Sequence, residues 1–302
     1  LFMRRITPFR LEDLAPDGSL GTGWHPAFPD GREFWVSVYR VRVNDGEPIS
    51  VPGVGPTGQL ADAWLALPMP PGMRLLSILE YSALALMGTH LLGDVLRGND
   101  ARGQNSNYPW ETGVREDGRP PGATSGNGVV LTGSGPVTWR HDHTPWGVEL
   151  LGNRDLFVTG LRFVNGKFQL RLDGAPIDPF NSPDSSWLAW DEQGDLVSAD
   201  TATPKLGYTP SGKIGTTPVT SDFSYSFGNI TPDTGITIPP LMRALGLVPS
   251  IYSSGMVNLY HSVAAVLMGS VGGRADFGPA APGTLRGRGP TVPHSALVVY
   301  SE

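Results

Sequence analysis

Forty glycines and 29 prolines fill 69 of the 302 positions, nearly twice the share of an ordinary globular chain. Glycine in a regular element costs backbone entropy and proline removes a backbone donor, so little of such a chain can lie in long helices or central strands. Turns and irregular loops must make up the rest. Disorder is the poorer reading of the bias. The hydrophobic fraction is 39%, with 8 Trp, 11 Phe and 8 Tyr, and only 17% of residues are charged. That is enough apolar surface to order the chain. At this length one large domain or two small ones can form, and an ordered, loop-rich globule is expected.

The net charge of -6 supplies no basic field for a phosphate backbone, so nucleic acid is not an expected partner. The absence of cysteine removes disulfides, thiolate metal sites and cysteine nucleophiles together. Leu1 to Pro16 carries Arg4, Arg5 and Arg10 without a continuous apolar run and does not read as a signal peptide. The longest apolar stretch, Met73 to Leu96, is interrupted by Arg74, Glu80, His90 and Asp94. A buried helix of a soluble protein is therefore expected there, without membrane insertion.

Phe34 to Val43 is β-branched and aromatic after the turn Pro29-Asp30-Gly31 and predicts a strand. Thr57 is a candidate cap for a short helix over Gln59 to Leu67. Ser77-Ile-Leu-Glu80 has the form of a capping box, and the apolar run behind it predicts a core helix. Arg97 to Gly135 holds neither a helical nor a strand period and predicts a long ordered loop region. Asn165-Gly166 supplies the two positive-φ residues of a type I′ hairpin. That turn pairs Phe163 with Phe168 and Leu161 with Leu170 on a buried face, and Arg162 with Gln169 on the other. A second hairpin is expected around Gly194, a short proline-led helix over Thr237 to Leu247, and a last strand over Ala296 to Tyr300.

Familiar catalytic motifs are missing. Gly126 to Gly135 is glycine-rich but lacks the lysine of a phosphate-binding loop and the third glycine of a dinucleotide fold, so it reads as turns. No Gly-x-Ser-x-Gly nucleophile elbow occurs. His141-Asp142-His143 has a spacing seen in zinc sites, with both imidazoles on one face if the segment is a strand. The plainer alternative is a polar turn whose side chains hydrogen-bond backbone, and neither metal nor cofactor is expected. The neighbours Glu12 and Asp13, and Asp191 and Glu192, read as solvated turns rather than catalytic dyads.

A series of segments, in order, resembles the phage branch of the formylglycine-generating-enzyme-like, C-type-lectin-fold proteins, which includes targets of diversity-generating retroelements. The series begins with Phe28-Pro-Asp-Gly31, Ser50-Val-Pro-Gly53 and Ser77-Ile-Leu-Glu80-Tyr81. It continues with Arg97-Gly-Asn-Asp100, Leu131-Thr-Gly-Ser-Gly-Pro136, Trp139-Arg-His-Asp142 and Thr144-Pro-Trp-Gly147. It closes with Leu151-Gly-Asn153, Gly160-Leu-Arg-Phe-Val-Asn-Gly166 and Gly235-Ile-Thr-Ile-Pro-Pro-Leu-Met-Arg-Ala-Leu245. The match runs over roughly residues 28 to 250, and its specificity lies in the order of the pieces.

The resemblance implies an α+β protein of C-type lectin fold, loop-rich, with short antiparallel strands and two or three helices. An N-terminal segment, 1–27, is expected to precede a lectin-like domain, 28–302, as a virion-attachment or oligomerisation arm. The oxidase activity of the family's enzymes is not implied, because they work through cysteines. Calcium is not implied either. Where the family has Asn-Gly-Asn-x-x-Glu-Trp, this chain has Leu151-Gly-Asn-Arg-Asp-Leu-Phe157, and Leu156 replaces the carboxylate that a hard cation needs. Retroelement targets end in Gly-Phe-Arg, whereas this sequence runs Val298-Val-Tyr-Ser-Glu302.

In the family the C-terminal region forms the exposed binding face. On this sequence that face would hold Tyr252, Asn258, Tyr260, His261, Arg274, Asp276, Phe277, Arg286, Arg288 and His294. Aromatic and arginine side chains suit a recognition surface; in the alternative, Tyr252, Tyr260 and Phe277 are core and the arginines are solvated. The implied function is non-enzymatic: a bacteriophage virion protein of a tail fibre, spike or tail tip, trimeric by analogy. It would bind a host surface receptor, sugar or protein, and other virion proteins. The rivals are an architectural capsid or tail decoration protein, and an enzyme on the same scaffold using His141, Asp142, His143 and Asp155.

Overall fold

The computed structural model describes residues 1–93, 96–99, 102–153, 156–249, 256–259, 264–268, 285–288 and 295–301. The first half of the chain carries β1 (Met3–Ile6), α1 (Leu11–Leu14), β2 (Phe34–Ser37), β3 (Arg42–Asn44), β4 (Glu47–Ile49), α2 (Ala61–Leu65), β5 (Met73–Leu75) and α3 (Ile78–Leu92). The second half begins with β6 (Leu156–Val164), β7 (Lys167–Leu170), β8 (Leu188–Trp190), β9 (Leu196–Ser198), β10 (Gly207–Tyr208), β11 (Lys213–Gly215) and β12 (Phe223–Ser226). It ends with β13 (Thr231–Pro232), α4 (Pro240–Ala244), β14 (Met256–Leu259), β15 (Ala264–Met268), β16 (Leu285–Arg288) and β17 (Val298–Tyr300). The architecture is a mixed α+β one of mostly short strands and few helices. Among the described residues no helix is long and apolar enough to cross a membrane.

The predicted capping box starts α3. Ser77 Oγ accepts the Leu79 N–H at 3.2 Å, and Glu80 Oε2 accepts the Ser77 N–H at 3.0 Å, so two donors left free by the helix start are satisfied. Glu80 is 2% exposed, and the Arg74 guanidinium forks onto its carboxylate. Burial alone would raise its pKa; Arg74 and Ser77 outweigh burial and hold it below the usual carboxylate range. Gly93, left-handed at φ 60°, closes the helix through its N–H to Thr89 O. Nearly every residue between Ile78 and Thr89 is buried, which makes α3 a core helix that packs against β6, α1 and α4.

The main sheet follows the order β12-β14-β16-β15-β6-β7-β10-β11-β13, with β8 joined to β7 and β9 to β8. Asn165 and Gly166 adopt φ of 51° and 80°, and the β6–β7 register is the predicted one: Leu161 opposite Leu170, Arg162 opposite Gln169, Phe163 opposite Phe168. The burial differs from the expectation of one covered face, because Arg162 and Gln169 are buried too. Arg162 reaches Gln169 Oε1 at 2.8 Å, Pro179 O at 3.0 Å and Ser182 O at 2.9 Å, and lies 4.5 Å over the Trp187 ring. The segment before β8 thus forms a second cover on the sheet.

A four-stranded sheet, β1-β2-β17-β5, brings both ends of the chain together. The strand expected over Phe34 to Val43 stops at Ser37, and Arg42 begins a separate hairpin with β4. Thr57 does not cap α2: its hydroxyl accepts the Val43 N–H at 2.9 Å, and the helix is shorter than expected, with Leu60 at its N-cap. The hairpin around Gly194 forms as predicted, and the proline-led helix forms as α4, shorter than the expected span of Thr237 to Leu247. Ile6, Leu11, Leu20 and Phe28 share one core cluster with α3, β6 and α4, because the apolar residues of this segment have the same helix to bury against.

Gly88 sits inside α3, where glycine costs about 1 kcal/mol relative to alanine on propensity alone. Here a Cβ would lie 2.3 Å from the His141 carbonyl oxygen and 2.8 Å from the Leu96 side chain. Gly88→Ala should therefore destabilise by about 1–3 kcal/mol in urea unfolding, the overpacking cost, and a stabilised variant would refute this close approach.

Candidate functional site

Between α3 and β6 lies a loop layer in which, among the described residues, turns, one 3-10 turn and isolated bridges replace ladders. Its backbone polar groups still need partners, and buried side chains provide them. Asn99 donates to Gly128 O at 2.9 Å and accepts from Gly103 N at 2.7 Å. Asn153 accepts the Val130 N–H at 2.8 Å and donates to Val130 O at 3.0 Å, so one amide reproduces a strand pairing. Arg115 donates to Ala123 O at 2.9 Å and Ser125 O at 2.6 Å. Arg40, 1% exposed, donates to Glu149 O at 3.0 Å, Leu150 O at 2.7 Å and Ser295 Oγ at 2.8 Å.

This layer presents large apolar side chains to solvent, Trp110 at 76% and Trp146 at 63% exposure. Trp110 meets Tyr108 edge-on at 5.6 Å, and Arg97 lies 3.7 Å over the Tyr108 ring. Arg97 is in turn ion-paired to Glu111 at 2.9 Å, and the second oxygen of Glu111 accepts the Trp139 indole N–H at 3.1 Å. The Tyr108–Trp110 prong therefore stands on a buried ionic and aromatic base.

The His141-Asp142-His143 segment is a turn and not a strand. His141 is buried, its Nδ1 accepts the Val148 N–H at 2.9 Å, and Asp142 Oδ1 accepts the Thr144 N–H at 3.0 Å. His143 has φ of 54°, so the two imidazoles do not follow the period-two geometry that would set them side by side. Among the described residues no group of three His, Asp or Glu could hold a metal. Asp155 lies outside the described residues, and Leu156 is buried core. Glu149 accepts the Gly133 N–H at 2.7 Å and lies 3.4 Å from Arg140; burial pushes its carboxyl up against their pull. Asp191 accepts the N–H groups of Gln193 and Asp195 and so shapes a turn.

Of the ten residues expected on the C-terminal face, Tyr252, Tyr260, His261, Arg274, Asp276, Phe277 and His294 lie outside the described residues. Asn258, Arg286 and Arg288 lie on β14 and β16. Strand register sets Ser224, Asn258, Arg286, Leu267 and Phe157 in one row across five strands. The adjacent row runs Tyr225, Val257, Leu285, Met268 and Leu156, and its Val257 and Leu156 belong to the main core. Asn258 and Arg286 thus become register neighbours in the row that runs from exposed Ser224 to buried Phe157, while Arg288 pairs with Ala265, itself opposite Arg162. Tyr108 and Trp110 belong to none of the motifs in the sequence. The available signal was an aromatic pair inside a stretch with no period by which to bury it.

Two histidines of this framework are held neutral. His25 accepts the Ala27 N–H at Nδ1 and faces Ala244 O with Nε2, and burial lowers both His25 and His141 from 6.5 to about 4. As pH falls the unfolded chain binds these protons first. Their stability is full above about 6.5 and is lost between 6.5 and 4, about 3 kcal/mol for each histidine. Glu149, with its raised pKa, works in the opposite direction and offsets part of the loss. The urea midpoint should drop from pH 7 to pH 4.5, and His25→Gln or His141→Asn should flatten that slope; an unchanged slope in both variants would mean the two imidazoles titrate normally. No protein-family model matches this chain, and a search of curated proteins finds no match.

Proposed function

We propose that the protein is a recognition protein, a bacteriophage virion component of a tail fibre, spike or tail tip that binds a host surface molecule through a C-type-lectin-like scaffold. The observation that carries the binding role is the loop layer, whose irregular backbone is pinned by buried Asn99, Asn153, Arg115 and Arg40 while Trp110 and Trp146 stand in solvent. A surface ordered before binding loses less conformational entropy on complex formation. Exposed tryptophan on such a surface is the residue type that dominates binding hot spots. The virion setting and the lectin fold rest on the ordered series of segments from Phe28 to Leu245.

The reading is non-enzymatic. His141, Asp142 and Asp191 are committed to backbone hydrogen bonds, and Glu149 is buried against Gly133 and Arg140. The Asn258–Arg286 row is proposed as the second part of the recognition face, and display as a homotrimer would multiply weak single contacts through avidity.

The test is saturable binding of fluorescently labelled protein to intact cells of candidate host bacteria. Trp110→Ala, and separately Arg286→Ala with Arg288→Ala, should each weaken binding by about tenfold or more, the scale of a hot-spot truncation. A folded protein that binds no host but associates with purified virions would replace this reading with an architectural one.

A further inference from the structure

The four-stranded terminal sheet carries a row that the loop layer does not explain. Register aligns Arg5, Trp35, Tyr300 and Met73 across β1, β2, β17 and β5. The neighbouring residues Phe34 and Val36 point the other way, into the main core. One end of the outer face is covered, since Leu75 and Val298 pack with Trp64 of α2. The other end is open, and there Trp35 keeps 38% of its surface exposed.

A groove of about 630 Å³ opens beside it, and its described lining is Gly31, Arg32, Glu33 and Trp35. Arg32 and Glu33 also wall a smaller recess that continues to Arg74, Asp173 and Ser301. Among the described charged residues that line the two recesses, all but Arg32 are paired. Arg5 is paired with Glu33, Arg74 with Glu80, and Arg171 with Asp173. Arg32 is exposed, and while its backbone N–H donates to Pro29 O, its guanidinium has no hydrogen-bond or ion-pair partner among the described residues.

From this we infer a ligand site for an acidic saccharide, in which a pyranose lays its C–H face on Trp35 and gives its carboxylate to Arg32. An indole offers a broad, polarisable apolar face to the C–H groups, and the guanidinium fork matches a carboxylate in two parallel hydrogen bonds. The groove volume falls in the range of small-ligand sites, which combine an aromatic wall with a few placed polar groups. Glu33, with one oxygen held by Arg5, is placed to accept a sugar hydroxyl. The site lies on a different sheet from the Asn258–Arg286 row and does not depend on the function proposed above.

The test is calorimetric and saturation-transfer NMR titration of the full chain with two probe pairs, trigalacturonate against its methyl ester and sialyllactose against lactose. At least one acid is expected to bind at least tenfold more tightly than its neutral partner. Trp35→Ala should abolish binding, and Arg32→Gln should remove the preference for the acid while leaving the melting temperature unchanged, since the Arg32 guanidinium makes no described hydrogen bond or ion pair and the backbone bond to Pro29 is kept. Trp110→Ala should bind the probes as the parent chain does, which separates failure here from failure of the cell-binding reading. No binding of either acid, or a preference for acid that survives Arg32→Gln, would overturn the inference. Concentration-dependent dimerisation lost in Trp35→Ala, without sugar binding, would overturn it in favour of a second copy of this chain.

Discussion

The guanidinium of Arg40 is buried at the junction of three parts of the chain, beyond the end of the β2–β17 ladder. It leaves the turn after β2, donates to the carbonyls of Glu149 and Leu150 at the end of the loop layer, and reaches Ser295 just before β17. Ser295 in turn accepts the Phe157 N–H at the start of β6, and Ala296 accepts the Val41 N–H. A guanidinium offers five donors in a fixed plane, so one side chain can satisfy carbonyls arriving from several directions, which no strand edge could do here. The loop layer, the C-terminal strand and the first strand of the main sheet depend on this arrangement.

The glycine and proline bias becomes intelligible in the same terms. Loops cross the interior of this protein at backbone-to-backbone distances. A Cβ on Gly152 would stand 2.4 Å from the Asn99 nitrogen, where the two segments bridge. Asparagine amides then do the work of a ladder, since each carries both a donor and an acceptor. The result is an irregular surface with little freedom, a framework on which exposed tryptophans can be held in place. In the recognition role proposed above, the ordering cost would be met in folding and not at the moment of binding.

The terminal sheet places its aromatic strip by a different logic. Strand alternation sends Phe34 and Val36 inward, which leaves Trp35 outward, and register with Arg5 and Tyr300 follows from β1 and β17 pairing on either side. An outward tryptophan on a sheet half covered by α2 leaves an open apolar face with charged neighbours, and the groove at Arg32 and Glu33 is its consequence.

Local chemistry was legible from the residues alone. The capping box of Ser77 and Glu80 uses hydrogen bonds within four residues, and the Asn165-Gly166 turn needs only two positive φ angles, so both formed as read. The α+β class was what the resemblance implied, and the described strands and helices agree with it. The sequence could not decide which polar residues would be buried, because Arg40, Arg162 and Glu149 each take at least one partner from more than 15 residues away. It could not distinguish a metal pair from a turn at His141 and His143 either, since the residue types are the same in both and the left-handed backbone at His143 is seen only in the folded chain. Asn258 and Arg286 became neighbours only through the parallel pairing of β14 and β16. Hydrogen bonds that close within a turn are written in the order of the residues, whereas the sites depend on contacts between distant segments that only the folded chain brings together.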